Sequence, residues 1–248
     1  MRSVRHPARD ATIFFVAAAV TRQVVGVLGL RRSISHRADF WQRVATEQGE
    51  LLLVVLGDSV AQGIGASRPE LGCVGLISQR LALAAGRSVR TVNLSRTGAG
   101  IVDVLNRQLP ALRVLEQVPD LVLVEIGAND MIRGDLEPFL VRLDDLLDAL
   151  PPHAVIADVA YLMHGRWERD AQRAAAVLTE RAQARGFAVV PIHAALSRFG
   201  PLVMLSHVAA DLFHPNDRGH RVWADSFWQA LVRTGAVDRL VSGARSPG

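Results

Sequence analysis

Two kinds of hydrophobic pattern alternate along this chain of 248 residues. The first is a short, almost continuous apolar run, which occurs at residues 51–56, 89–94, 121–126, 154–159 and 188–192. Runs of this length that are rich in Val, Ile and Leu are typical of strands buried on both faces of a parallel sheet. The pattern therefore predicts five such strands.

The second kind of pattern places apolar residues three and four positions apart, which is the period of an amphipathic helix. It predicts helices at residues 74–85, 101–115, 136–150, 166–185 and 217–233. Pro110 lies inside the second of these helices and is expected to bend or break it, because proline lacks the backbone N–H. Asn216 directly precedes the last helix and is a residue type that caps helix N-termini.

The alternation of strands and helices predicts an α/β fold in which a parallel sheet is covered by helices on both faces. This pattern begins at residue 51, so we assign residues 51–235 to the main domain and residues 236–248 to a C-terminal tail. Ligands of such folds bind beyond the carboxyl ends of the strands. The residues just after each predicted strand are therefore the candidates for a functional site.

The charge of the chain is concentrated in an N-terminal extension, residues 1–50. This segment holds eight Arg and four acidic residues, whereas the remainder holds 20 Arg and 20 acidic residues, and the chain has no Lys. The main domain is thus neutral and shows no clustered basic face, which argues against nucleic-acid binding. Cys73 is the single cysteine, so neither an intramolecular disulfide nor a cysteine-based metal site is predicted, and we expect no metal.

A hydrophobic segment at residues 11–30 of the extension is about as long as a membrane span, although Arg22 and Gln23 interrupt it. Three interpretations stay open: a membrane anchor or interfacial helix, a cleaved signal peptide, or a helix packed on the domain. They favour a membrane-anchored or cytoplasmic protein over a secreted one. Membrane association through this segment is one expectation among these.

Polar residues follow the predicted strands at several points. Ser59 comes directly after the first strand, Gly98 follows the second and Asn129 follows the third, while Asp211 and His214 precede the last helix. A serine hydroxyl becomes a useful nucleophile when a base removes its proton, and imidazole is the usual base. A carboxylate orients the imidazole, and backbone or amide N–H groups stabilise an oxyanion. The set predicts nucleophilic catalysis at one sheet edge.

Four short blocks of the sequence resemble the SGNH hydrolases, also called the GDSL esterase/lipase family. They are GDS at residues 57–59, Gly98, GAND at residues 127–130 and DLFH at residues 211–214. They stand in the family's order and span roughly residues 51–232. The resemblance implies a three-layer α/β/α sandwich like that of flavodoxin. It also implies hydrolysis of carboxylic esters, with a small ester or lipid as substrate and no cofactor.

The same resemblance implies site roles for five residues. Ser59 is the expected nucleophile, His214 the general base and Asp211 its partner. The backbone amides of Ser59 and Gly98 and the side chain of Asn129 are the expected oxyanion hole.

Several alternatives stay open at this point. Gly100 competes with Gly98 for the oxyanion role, and the family's usual GDSL reads GDSV here, with Val60 in the last position. Asp58 is expected to be structural and to bond loop amides. The same site could serve an acyltransferase, and the fold could also belong to a flavodoxin-like binding module without activity.

Overall fold

The computed structural model describes residues 26, 29, 30, 33–163 and 165–243. Residues 11–25 of the predicted hydrophobic segment and residues 244–248 of the predicted tail lie outside these described residues. Within the described part of the chain, no helix is long and apolar enough to cross a lipid bilayer.

All five predicted strands are present, and they form one parallel sheet. They span Leu51–Gly57 (β1), Val89–Asn93 (β2), Leu121–Glu125 (β3), Val155–Ala157 (β4) and Ala188–Val190 (β5). Their spatial order is β2-β1-β3-β4-β5, which is the flavodoxin order. β2 lies on one side of β1, and β3, β4 and β5 follow on its other side, so the order in which strands are added reverses at β1. The carboxyl end of β1 therefore lies at the switch point where ligands of this fold bind.

Helices cover both faces of the sheet and form the predicted three-layer α/β/α sandwich. In chain order they are residues 33–45 (α1), Cys73–Ala85 (α2), Ile101–Asp103 (α3), Leu109–Arg113 (α4), Ala128–Arg133 (α5), Leu136–Ala149 (α6), Gly165–Ala184 (α7), Ile192–Ser197 (α8), Gly200–Met204 (α9), Asp217–Arg233 (α10) and Ala236–Ser242 (α11). Helices α3 to α7 pack on one face and the others on the opposite face. Side chains of β1 alternate between these layers, so both faces of the strand are buried.

The helix predicted over residues 101–115 continues past Pro110, and the turn before the proline is π-helical. A π-helical segment, Val104–Gln108, joins α3 to α4 and relieves the clash that the proline ring would make in a regular helix. The wide turn places Gln108 against the end of β1. Its side chain accepts a hydrogen bond from Gly57 N–H (2.7 Å) and donates one to the Gly57 carbonyl (2.8 Å).

Two helices lie outside the predicted domain limits of residues 51 and 235. In α1, Trp41 is buried in the apolar core beside α2, and Arg37 is buried and donates to the carbonyl of Ala66. In α11, which belongs to the predicted tail, Ala236 and Val237 are buried in the same core. We therefore assign both helices to the packed domain.

Replacing Trp41 by alanine should lower the free energy of unfolding by about 3–5 kcal/mol, because it empties a buried site that a large ring fills. Phenylalanine should cost less, since it loses mainly the hydrogen bond from Nε1 to the Gln62 carbonyl (3.1 Å). Urea unfolding followed by circular dichroism measures both variants. Trp167→Ala is the matched control, because Trp167 is 44% exposed. A Trp41→Ala midpoint equal to that of the wild type would contradict a core role for α1.

Candidate active site

Ser59 lies on a tight and buried turn directly after β1. The turn is closed by hydrogen bonds from Gln62 N–H to the Asp58 carbonyl (3.2 Å) and from Ile64 N–H to the Ser59 carbonyl (3.0 Å). Asp58 Oδ1 accepts a hydrogen bond from Val60 N–H (2.9 Å), so this side chain bonds a loop amide as predicted. The serine is thereby held on a rigid corner at the end of the strand.

The loop before α10 folds Asp211 and His214 onto each other. Asp211 Oδ2 lies 2.5 Å from His214 Nδ1, and Asp211 Oδ1 accepts hydrogen bonds from the N–H groups of Phe213 (3.1 Å) and His214 (3.0 Å). Leu212, between them, has a φ of 58°, a left-handed conformation that costs a non-glycine residue about 1–2 kcal/mol. Strain of this kind persists where the surrounding bonds hold a functional loop in place.

The two loops meet, and they bring the three predicted triad residues into one hydrogen-bonded row. His214 Nε2 lies 2.8 Å from Ser59 Oγ. The close approach needs a glycine at position 65, since a Cβ there would lie 2.2 Å from the carbonyl oxygen of Pro215. The fold therefore brings Ser59, His214 and Asp211, which the sequence predicts as nucleophile, base and carboxylate, within contact distance of one another.

The Asp211 carboxyl is ionised at neutral pH. Partial burial acts to raise its pKa, but the hydrogen bond and electrostatic interaction with His214, together with the N–H groups of Phe213 and His214, outweigh it and lower the pKa below its ordinary value. A carboxylate at this position holds the ring with Nδ1–H toward Asp211, which leaves Nε2 free to accept a proton from Ser59.

The two backbone N–H groups that the sequence predicts as oxyanion donors lie on the loops after β1 and β2. Neither Ser59 N–H nor Gly98 N–H donates a hydrogen bond to any described residue. The N–H of Gly100, by contrast, is engaged with Asp103 Oδ2 (3.1 Å) at the start of α3. Of the two glycines that the sequence left open, Gly98 is thus the one whose donor is available.

Asn129 reaches the same area from the start of α5, but its amide already has acceptors. Nδ2 donates to Asp58 Oδ2 (3.0 Å) and to the carbonyl of Ala99 (3.0 Å). An amide nitrogen carries two hydrogens, so an oxyanion would have to replace one of these acceptors or share a hydrogen with it. Asp58 consequently supports the site by orienting Asn129 as well as by bonding Val60.

A second buried carboxyl, Glu125, lies beside Asp58 and was not anticipated from the sequence. Both side chains are buried, and Glu125 Oε2 has no hydrogen-bond partner among the described residues. Burial and the neighbouring charge of Asp58 raise the pKa of Glu125 well above its ordinary value. We infer that Glu125 holds the proton of this pair, because Asp58 receives N–H donors from Val60 and Asn129. The available signal was one acidic residue within the apolar run 121–126.

His220 lies in α10 and has a structural role. Its ring is fully buried, with Nδ1 accepting from Cys73 N–H (3.2 Å) and Nε2 donating to the carbonyl of Ile64 (3.0 Å). Burial lowers the pKa of His220 to about 4, so the ring is neutral at neutral pH. It ties α10 to α2 and to the loop that follows Ser59.

The part of the chain that carries these residues matches a known protein family. The profile of the GDSL-like Lipase/Acylhydrolase family matches residues 55–222, a stretch that includes both Ser59 and His214. Esterase TesA of Pseudomonas aeruginosa is 42% identical over 82 residues, which are 33% of this chain and 39% of that protein. The GDSL-like esterase Rv1075c of Mycobacterium tuberculosis is 28% identical over 195 residues, or 72% of this chain and 61% of the relative.

Solved structures agree on the fold. Axe2, an acetylxylan esterase from Geobacillus stearothermophilus, superposes with a TM-score of 0.58 at 22% identity, covering 73% of this chain and 94% of Axe2. The chain spans less than two thirds of the length of each curated relative, whereas it spans nearly all of this solved structure. The likeness to this solved structure concerns the fold.

Replacing Glu125 by glutamine should remove a pH-dependent loss of stability. The folded protein retains a proton on Glu125 that the unfolded chain releases above the ordinary pKa of about 4.3, so stability falls as pH rises from there toward the raised pKa. Glutamine keeps a hydrogen-bond donor toward Asp58 and does not ionise.

The melting temperature of Glu125→Gln, relative to that of the wild type, should therefore increase between pH 5 and pH 8 in differential scanning calorimetry. Glu116→Gln, at an exposed position, is the control and should show no such trend. A difference that stays constant over this pH range would show that Glu125 is already ionised in the folded protein.

Proposed function

Because the chain belongs to the GDSL-like lipase/acylhydrolase family, we propose that it is a serine hydrolase of carboxylic esters that uses Ser59, His214 and Asp211 as a catalytic triad. The observation that carries this proposal is the continuous row of contacts from Ser59 Oγ to His214 Nε2 (2.8 Å) and from His214 Nδ1 to Asp211 Oδ2 (2.5 Å). No cofactor takes part in the proposed reaction.

The first half of the proposed reaction forms an acyl-enzyme. Ser59 Oγ attacks the ester carbonyl carbon while His214 Nε2 removes the hydroxyl proton, and Asp211 stabilises the resulting imidazolium. The carbonyl oxygen becomes an oxyanion that accepts hydrogen bonds from the N–H groups of Ser59 and Gly98 and from Asn129 Nδ2. The tetrahedral intermediate then collapses, the bond to the alcohol oxygen breaks, and the alcohol leaves with the proton from His214.

The second half releases the acid. His214 removes a proton from water, the hydroxide oxygen attacks the acyl carbon, and the same donors stabilise the second oxyanion. Collapse of that intermediate returns the proton to Ser59 Oγ and regenerates the enzyme. If an alcohol replaces water in this step, the reaction is acyl transfer, so an added alcohol that captures the acyl group faster than water would identify an acyltransferase.

The proposed substrates are small esters with short or medium acyl chains. Within the described residues, the loops that follow β2 and β3 are short, which favours an open binding surface on that side of the candidate site. Both curated relatives are named esterases and one solved structure is named an acetylxylan esterase, and all three names concern ester bonds.

Ser59→Ala should abolish ester hydrolysis, with a loss of at least about 10⁴-fold in kcat, because no other group replaces the nucleophile. The measurement is turnover of p-nitrophenyl esters from acetate to palmitate by the full chain, and the chain-length optimum reports the acyl preference. Ser67→Ala is a matched control in the same loop, since Ser67 contacts Asp217 and not the triad. Wild-type turnover that equals the Ser59→Ala background on every ester would overturn the proposal.

Asn129→Ala should lower kcat by about 10²–10³-fold and change KM much less, because an oxyanion donor acts mainly in the transition state. Steady-state kinetics with p-nitrophenyl acetate separates the two constants. Asn106→Ala, at an exposed position in the π-helical segment, is the control and should retain both. An unchanged kcat in Asn129→Ala would remove this side chain from the proposed oxyanion hole.

A further inference from the structure

The two backbone donors of the proposed oxyanion hole lie on different loops, one after β1 and one after β2. A misplacement of about 1 Å between catalytic groups can cost about 10²-fold in rate, so the loops must be held in register. We propose that Gln62 is a positioning residue that sets the Gly98 amide relative to Ser59. This inference deepens the proposed function and rests on it.

The Gln62 side chain bridges the two loops with three hydrogen bonds. Nε2 donates to the carbonyl of Ser95 (2.9 Å), and Oε1 accepts from Thr97 N–H (3.1 Å) and Thr97 Oγ1 (2.6 Å). All three partners lie within the three residues that precede Gly98. The side chain is buried, with 7% of the residue exposed, so water does not replace these partners without cost.

Gln62 is itself fixed to the corner that carries the nucleophile. Its N–H donates to the carbonyl of Asp58 (3.2 Å), and its carbonyl accepts from Trp41 Nε1 (3.1 Å). The residue therefore connects three parts of the protein, namely α1, the turn of Ser59 and the loop of Gly98. Through Trp41 the first described helix contributes to the geometry of the site without touching it.

Gly98 needs such support because a glycine backbone has little preference for one conformation over another. Its φ of 79° lies in the left-handed region, which glycine enters and leaves easily, and the direction of its N–H follows the Thr97–Gly98 peptide plane. Arg133 holds the other side of this glycine by donating to the Gly98 carbonyl. Gln62 and Arg133 thus restrain the residue from its two ends.

A neighbouring side chain bonds the earlier part of the same loop and leaves the later part to Gln62. Asn93 Nδ2 donates to the carbonyl of Ala61 (2.8 Å), and its Oδ1 accepts from Ser95 N–H (3.1 Å). These bonds hold the loop as far as Ser95. The contacts of Gln62 continue to Thr97, the residue next to the donor.

Two substitutions test the positioning role in the full chain. Gln62→Leu keeps the approximate size but removes all three bonds, and it should lower kcat for p-nitrophenyl acetate by about 10–100-fold with KM nearly unchanged. In Gln62→Glu, the ionised carboxylate still accepts from Thr97 but cannot donate to the Ser95 carbonyl until it is protonated. The kcat of Gln62→Glu relative to that of the wild type should therefore rise as pH is lowered.

Thr91→Val provides a stability control, because it removes the hydrogen bond (3.0 Å) that the buried Thr91 hydroxyl in β2 donates to Ser78 in α2. It should lower the melting temperature and leave kcat unchanged. A folded Gln62→Leu with wild-type kcat would overturn the inference while an inactive Ser59→Ala upholds the proposed function. Full activity in Ser59→Ala would overturn both. If Gln62→Leu does not fold, the test rests on the kcat of Gln62→Glu relative to that of the wild type. A ratio of these two kcat values that does not change with pH would overturn the inference.

Discussion

The hydrogen bond between Ser59 and His214 joins loops that are 155 residues apart in the chain, and the rest of the site depends on this contact. Parallel strands make it geometrically feasible, because their carboxyl ends share one edge of the sheet. Close approach at Gly65 removes the steric obstacle between the loops. His220 then locks α10 to the turn after Ser59 with a neutral ring that donates and accepts at the same time.

Three buried carboxyl groups lie at the edge of the sheet beside the ends of β1 and β3. Asp58, Glu125 and Asp130 are all buried there, although burial disfavours the charged form of each. Buried polar groups that are satisfied hold one geometry, and those left unsatisfied are costly. Asp58 thus orients Asn129 and Val60 N–H. Burying these carboxyl groups lowers the stability of the fold relative to an edge lined by apolar side chains.

The helix before residue 51 packs on the core and supports the loops of the site, a role that its sequence pattern did not reveal. Helix α1 places Trp41 in the core and in contact with Gln62, and it places Arg37 against the turn that contains Ala66. A chain that lacks residues 1–50 would lose these contacts. Because Gln62 also reaches Thr97, the helix and the proposed oxyanion hole belong to one connected set of hydrogen bonds.

Local pattern was sufficient for the strands, the long helices and the cap at Asn216, because hydrophobic period and residue chemistry are properties of short stretches. The candidate triad came from short motifs that resemble a known family, and its roles stay a proposal. Pattern did not reveal the π-helical turn before Pro110, the burial of α1 and α11, or the roles of Glu125 and Gln62. These features arise from partners distant in the chain. Gln62 has polar side-chain bonds to another loop, and folding raises the pKa of Glu125 by burying it beside Asp58. Contacts between distant segments, and the loss of water around them, are properties of the folded molecule alone.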